Sequence, residues 1–441
     1  MKKVFIPVFL VLISTFMFSS EIQKITIENA IELALKNNDT ILLNKEYVNQ
    51  YKYKLKQNMG FLPSITLEGS KNLDEKLMEI EMPAMFAGGD STKISLDFTK
   101  NYEFALQIVQ PLFTGGKILN TFKNAKLDLQ LVKEKQRDSR NFLVLNIKKV
   151  FFNILVMEEL LKVQKEGLLL AENNFNNIKK KYKLGMVSKY DLLRAELNVT
   201  SQQPKLLNVK KIINLLVLRF KIMLGIPENK DIVIEGKLDY NKYYLEHSKF
   251  IRKSLINRSE ITQINIEQRK IKNLLKIAYA QYIPDISLIA RYSYRSDLFN
   301  LDKENWTNYY TINLGINFPI FSGFKREGQI GELKVLKKVL KIKKKQIDDL
   351  TKMQVVDYCL TIEKEFENIQ NALKNKKTAE EGVRIADLNY EEGLISVLEL
   401  NSSYMALTGS KATYFQAVYN YNIAIAELEK ISGLKINGGK S

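Results

Sequence analysis

Two periodicities share this chain. Apolar residues fall alternately four and three apart at Leu143, Ile147, Val150, Ile154, Met157 and Leu161, and again at Leu168, Ala171, Phe175, Ile178 and Tyr182, with Gln164 the exception. A sustained seven-residue repeat makes a helix whose apolar seam supercoils left-handed against a partner. Val355, Tyr358, Ile362, Ile369, Ala372, Ala379, Val383, Ala386 and Tyr390 follow the same rule, broken by Glu365 and Lys376. No proline stands between Lys117 and Tyr182, so the pattern predicts long helices over 117–183 and 325–391, each a rod of roughly 100 Å at about 1.5 Å per residue. A Gly-containing turn closes each (184–189 and 392–397), and shorter helices return over 190–224 and 398–432, where only Pro204 could kink the path.

The second periodicity is two. Ile286, Leu288, Ala290, Tyr292 and Tyr294 alternate with Ser287, Ile289, Arg291, Ser293 and Arg295, and Ile312, Leu314, Ile316 and Phe318 with Thr311, Asn313, Gly315 and Asn317. In the first half Phe104, Leu106 and Ile108 alternate with Glu103, Ala105 and Gln107, opposite Ile65 and Leu67. One apolar and one polar face over about ten residues is the pattern of a membrane barrel strand, or of a half-buried hairpin in a soluble domain. Tyr282, Tyr292, Tyr294, Trp306, Tyr309 and Tyr310 could supply an interfacial aromatic girdle.

The halves repeat. Gln110–Lys117 matches Phe318–Lys325, and the same offset of 208 pairs Gly185 with Gly393, Ser188 with Ser396, Asp191 with Glu399 and Gly225 with Gly433. An N-terminal set pairs Leu35 with Leu255 and Asn37 with Asn257 at offset 220, then Pro63 with Pro284. The chain thus reads as a tandem duplication. A signal peptide (1–20) precedes a first repeat (21–224: helix 26–59, strands 61–70 and 102–113, helix 117–183, turn 184–189, helix 190–224). A linker (225–253) leads to a second repeat (254–432: helix 254–281, strands 283–295 and 308–321, helix 325–391, turn 392–397, helix 398–432) and a tail (433–441).

Four strands cannot close a barrel, which takes about eight, and a sheet in lipid cannot leave open edges. If these strands span a membrane, several copies must close one barrel; three chains would give twelve strands, an allowed even number.

Composition removes other classes. One Cys (Cys359) and one His (His247) among 441 residues leave no disulfide framework, Cys/His metal site or His-based triad. Glu158–Glu159 and Asp348–Asp349 are adjacent on helices and point apart, and Gly115-Gly116-Lys117 lacks phosphate-loop spacing. No enzyme activity, metal or cofactor is expected. Lys2 and Lys3, then the apolar Val4–Phe18 and Ser19-Ser20, form a secretory signal; an uncleaved anchor is the alternative. Export sets aside nucleic acid as a partner despite 67 Lys+Arg against 49 Asp+Glu, a net +18.

The ordered set Thr26-Ile27-Glu28-Asn29-Ala30-Ile31 with Leu35-Lys36-Asn37-Asn38, the Pro63 strand, Gln110-Pro111-Leu112-Phe113, and Tyr182-x-x-Gly185-x-x-Ser188-x-x-Asp191-Leu192, with its second-half copies, resembles the TolC-like outer-membrane efflux and export channels. The resemblance implies a mixed α and β membrane protein: a tandem-duplicated protomer with four barrel strands and long coiled-coil helices. It would close as a homotrimer into a 12-stranded outer-membrane β-barrel plus a periplasmic α-helical barrel. It implies the exit duct of a tripartite efflux pump or type I secretion system, set in outer-membrane lipid with a large periplasmic portion. Its partners would be a periplasmic adaptor (membrane fusion) protein and an inner-membrane pump of RND or ABC type. By the same resemblance the adaptor docks on the tip turns, here Gly185, Met186, Val187 and Ser188 with Gly393, Leu394, Ile395 and Ser396, and Asp191, Tyr390 and Glu399 match the periplasmic gate. Where some members carry a basic gate residue this chain has Ile395, and Ser402 replaces a second acid one turn after Glu399. Lys179, Lys180, Lys181 and Lys183 near the tip are a solvated face or a bias against cations. The residues alone also allow a non-conducting periplasmic coiled-coil scaffold anchored by its N-terminus.

Overall fold

A computed structural model describes residues 23–71, 78–82, 92–96, 102–299 and 305–436. The expected signal segment and the end of the tail lie outside them. The chain forms two compact units, one from Met1–Leu43, Ser139–Leu255 and Thr351–Ser441, the other from Asn44–Asp138 and Ile256–Leu350. No helix among the described residues is long and apolar enough to cross a membrane.

The described residues form, in order, β1 (Gln23–Ile25), α1 (Ile27–Asn37), α2 (Asp39–Gln57), β2 (Ser64–Lys71), β3 (Met78–Met82), β4 (Thr92–Leu96), β5 (Tyr102–Phe113), α3 (Lys117–Lys183) and α4 (Lys189–Leu224). Then come β6 (Ile232–Ile234), α5 (His247–Asn257), α6 (Ser259–Ala280), β7 (Asp285–Ser296), β8 (Thr307–Asn317), α7 (Lys325–Glu391) and α8 (Val397–Ser432). The duplication is kept in element length. Helices α3 and α7 have 67 residues each, and α4 and α8 have 36. Helices α4 and α8 both end on a left-handed glycine, Gly225 (φ 66°) and Gly433 (φ 67°).

In the second unit β2, β5, β7 and β8 form one antiparallel sheet in that order. Its register aligns Leu67, Leu106, Tyr292 and Tyr310 in one row, and Ile65, Ile108, Ala290 and Ile312 in the next. These rows make a continuous apolar face that the protomer leaves bare: Leu67 is 75% exposed, Tyr310 75% and Ile312 67%. The other face is polar. Arg291 donates to Glu68 (2.9 Å), Gln107 (3.0 Å) and Glu103 (3.2 Å), and Arg295 pairs with Glu103 at 3.1 Å. Tyr309 belongs to this polar side, since it is registered with Ser293 and lies under the Arg295 guanidinium. The expected aromatic girdle therefore loses Tyr309, which strand alternation turns away from Tyr310. The outer edges of β2 and β8 pair with nothing among the described residues. In the same unit, Ile264, Ile271 and Ala278 of α6 pack with Ile330, Leu333 and Leu340 of α7.

The first unit holds two cores, and the seven-residue seam builds both. Leu143, Ile147, Val150 and Ile154 pack with Ile25, Ala30, Ala34, Phe220 and Leu224. Val355, Cys359, Ile362 and Ile369 pack with Val418, Tyr421 and Leu428. Seam-breaking Glu365 is buried with Asn368 donating to it at 3.1 Å and Lys364 2.8 Å away. Helix α4 runs on through Pro204.

Several boundaries differ from the sequence pattern. The helix expected over 26–59 is two, because Asn38 is extended (ψ 128°). Its Nδ2 donates to Met223 O at 3.0 Å, and its Oδ1 accepts from Thr40 N at 3.0 Å. The helix expected over 254–281 likewise splits at Arg258 (ψ 129°), and its first part begins at His247, inside the expected linker. That linker also contributes β6, paired in parallel with β1. Strand β8 stops at Asn317 rather than 321, before Pro319, which has no N–H for a ladder. A hairpin, β3 with β4, adds to the four expected strands. His247 is half-buried with Nε2 3.4 Å from Glu363.

Candidate functional site: the helical tips

Each long helix ends in the same backbone device. At the first tip Gly185 (φ 73°) donates to Tyr182 O at 2.9 Å and Met186 N to Lys181 O at 2.9 Å. At the second, Gly393 (φ 75°) donates to Tyr390 O at 3.2 Å and Leu394 N to Asn389 O at 2.8 Å. This paired closure of the last carbonyls needs a left-handed residue, which glycine adopts without a Cβ penalty. The return helices start alike. Ser188 Oγ accepts from Asp191 N (3.1 Å), and Asp191 Oδ2 accepts from Ser188 N (3.2 Å) and Oγ (2.7 Å). Ser396 and Glu399 repeat this box, with Ser396 N donating to Glu399 Oε2 at 2.8 Å. Reciprocal capping explains the Ser-x-x-acid spacing in both copies. The bonds from the Ser396 backbone and then its hydroxyl hold the Glu399 carboxyl below its ordinary range.

Of the residues assigned to a gate, Tyr390 is half-buried, and its phenol is pushed above its usual range, first by burial and then by the Asp191 charge. Lys181 Nζ lies 4.8 Å from the Tyr390 ring centre. Asp191 and Glu399 are each held in their own cap. Of the docking residues, Gly185, Met186, Ser188, Gly393, Leu394 and Ser396 are exposed, while Val187 and Ile395 are half-buried.

Sequence reasoning passed over three features. Leu184, Tyr190, Leu193 and Leu197 are exposed beside Met186; the spacing of the last three marks one bare helix stripe. A groove of about 350 Å³ next to the first tip is lined by Asn174, Lys180, Lys181, Asp387, Tyr390 and Tyr404, among others. There the Tyr404 hydroxyl donates to Asp387, and burial first, then that bond, pushes the phenol far above its usual range. The third is an amide cluster. Asn401 Oδ1 accepts from Asn198 Nδ2 at 3.1 Å and Asn174 Nδ2 at 3.5 Å, so α8 is tied to α3 and α4. Asn174 is buried, and its own Oδ1 has no partner.

No group of three or more His, Cys, Asp or Glu able to hold a metal occurs among the described residues. The described residues thus include a four-stranded antiparallel sheet with a bare apolar face and long helices whose turns are capped and solvent-exposed. Residues 30–214 and 250–434 match the outer membrane efflux protein family, and the chain belongs to it. The two matched spans are themselves offset by 220 residues, as α1 is from α5. The CmeC outer membrane channel of Campylobacter jejuni superposes with a TM-score of 0.78 at 16% identity, over 92% of this chain and 85% of that one. VceC, an outer membrane protein of Vibrio cholerae, gives 0.74 at 14%, over 93% and 97%. The open state of the MtrE channel of Neisseria gonorrhoeae gives 0.72 at 14%, over 92% and 88%. At such identities the likeness establishes the fold alone. No curated protein sequence matches the chain. The protein is an outer-membrane efflux channel component, and its family is one of channels, not enzymes.

Proposed function

We propose that this chain is the exit duct of a tripartite efflux pump or type I secretion system, working as a homotrimer. The observation that carries the reading is the four-stranded sheet with a bare apolar face and two unpaired edges. In hydrocarbon each unpaired backbone group costs several kcal/mol, so β2 of one protomer pairs with β8 of the next until the ring closes at twelve strands. The polar face, with Arg291, Glu68 and Glu103, then lines the lumen.

A periplasmic adaptor docks on the tip turns, with Met186 and Leu394 as exposed apolar contacts and Gly185, Val187, Ser188, Gly393, Ile395 and Ser396 shaping the turns. An inner-membrane pump of RND or ABC type supplies the energy. Asp191, Tyr390 and Glu399 lie at the periplasmic gate, where adaptor binding favours an untwisted tip only by binding the open state more tightly. The test is single-channel current from purified protein in planar bilayers, beside Tyr390→Phe and Asp191→Ala. Discrete steps, larger or more frequent in the variants, are expected; inserted but silent wild type and variants would overturn the reading. Site-specific photocrosslinkers at Met186 and Leu394 should capture the adaptor, and crosslinking absent there but present elsewhere would remove the tips from the docking surface.

A further inference from the structure

The passages between the four-stranded sheet and its helices are basic. Four segments make these passages: 47–67 from α2 into β2, 114–127 from β5 into α3, 268–284 from α6 into β7, and 318–326 from β8 into α7. Each carries two to four Lys or Arg, and the nearest acids, Glu46, Glu68, Asp128, Glu267, Asp285 and Glu327, flank them. The segments joining the opposite strand ends, 72–101 and 297–306, are of the other sign, with nine acids against four bases.

Two of the junction bases serve the fold. Arg326 is buried and donates to the carbonyls of Gln281, Pro319 and Ile320, and Lys270 pairs with Asp128. The other ten are exposed, among them Lys52, which donates to Asn49 at 3.0 Å. Lys54, Lys56, Lys117, Lys123, Lys276 and Lys325 are all exposed, and none pairs with a carboxylate among the described residues. All six lie within two turns of the helix end next to a strand, hence within about 10 Å of it along the axis. Aromatic rings share that level: Lys54 and Lys56 lie 4.6 Å and 5.6 Å from the Tyr51 and Tyr53 ring centres, and Tyr279, Tyr282, Phe321 and Phe324 are exposed.

We propose that these six lysines form a collar that binds anionic phospholipid headgroups of the periplasm-facing leaflet of the outer membrane. The inference rests on reading β2, β5, β7 and β8 as membrane strands. Where their bare apolar face ends, hydrocarbon ends, and the headgroup layer is several Å deep beyond it. Lysines and aromatic rings at that depth are what such a layer accommodates, stems along the apolar boundary and ammonium groups at the phosphates. Charge selects the lipid. A zwitterionic headgroup offers each lysine no net charge, whereas an anionic one gives about fivefold per well-placed lysine. Of the acids that flank the junctions, Asp128 pairs with Lys270 and Glu327 accepts from the Tyr282 hydroxyl at 2.6 Å, so neither neutralises the six lysines.

The test uses full-length protein reconstituted in vesicles of phosphatidylcholine with an equal share of phosphatidylglycerol, with spin-labelled lipids reporting which lipid occupies the protein's boundary. Wild type is expected to prefer phosphatidylglycerol about fivefold at low salt, and the preference should fall toward unity in high salt. Exchange of all six lysines for Gln should abolish it. The same change of charge at Lys165, Lys205, Lys210, Lys211, Lys374 and Lys377, all exposed on the coiled-coil helices, should leave it intact. Protein that inserts and conducts in pure phosphatidylcholine yet shows no preference in the mixture overturns the collar while leaving the channel reading standing. Failure to insert in either lipid overturns both. No lipid preference, with lysine-dependent binding to purified cell-wall sacculi instead, would reassign the surface to an acidic wall polymer and overturn the proposal.

Discussion

Asn401→Leu removes the one acceptor that serves both Asn198 and Asn174. The 3.1 Å bond is of ordinary strength, about 1 kcal/mol net, while the 3.5 Å contact is at the limit of a hydrogen bond and contributes little directly. The larger cost falls on Asn174, which is 7% exposed, already lacks a partner for Oδ1, and would lose its Nδ2 contact as well. A buried amide stripped of partners costs about 1–3 kcal/mol. Together these give about 2 kcal/mol per protomer against the arrangement in which α8 packs on α3 and α4, or roughly thirtyfold in any equilibrium that separates the second-repeat hairpin from the first. The assay is open probability in planar bilayers, with leakage of a bulky antibiotic into cells as its counterpart in vivo. Asn401→Asp is the control, because a carboxylate still accepts from both amides, and it should stay near wild type. An Asn401→Leu channel as closed as wild type, or Asn401→Asp as open as Asn401→Leu, would refute the account.

Three further outcomes follow from the geometry. Ser188→Ala and Ser396→Ala should each lower stability by about 1 kcal/mol, read as thermal melting of helix circular dichroism, because each removes one side of an equivalent capping box. Gly225→Ala should cost far more than Gly185→Ala. Both have φ near 70°, but a Cβ at 225 would lie 2.7 Å from Asn37 Cβ, whereas at 185 nothing comes within 4 Å; comparable melting shifts would contradict the packing. Tyr404 has its phenol pKa raised in the fold by burial and the Asp387 bond. Its stabilising contribution is therefore complete below the unfolded value near 10 and is lost as pH rises above it. Tyr404→Phe should melt lower than wild type at pH 8 and lose less stability on alkaline titration; parallel pH profiles would exclude this tyrosine as the cause.

The long helices were legible because a seven-residue seam without proline has one physical solution, and the strands because alternation carries register: Leu67 does face Leu106 and Ile65 does face Ile108. The helix breaks were not. Asn38 is held extended by a bond to Met223, 185 residues away, and Arg258 is extended with no side-chain cap of its own. A local pattern cannot contain a tertiary contact. The tips were half legible. Glycine and serine announced turn and cap, but the same capping box that explains Asp191 and Glu399 occupies their carboxylates, which spacing alone does not reveal. The asparagine cluster was silent because Asn174, Asn198 and Asn401 come from three helices and break no periodicity strongly enough to stand out.

That silence has a physical reading. Residues common to both repeats hold the backbone: Gly185 and Gly393 reverse it, Ser188 and Ser396 restart it, Gly225 and Gly433 end it. Residues that join one repeat to the other are not common to both. At the offset of 208, Asn174, Asn198 and Asn401 correspond to Gly382, Ala406 and Leu193, and Asp387 and Tyr404 to Lys179 and Glu196. If only the shared residues existed, the six hairpins of the proposed trimer would be equivalent, and no force would select three of them to move. An opening in which one hairpin of each protomer swings while the other stays needs two unequal contacts, and a two-state element biased from outside needs them breakable at about the strength of a few hydrogen bonds. The amide cluster meets both requirements. Its loss should alter conductance as well as melting, whereas loss of a duplicated cap should alter melting alone.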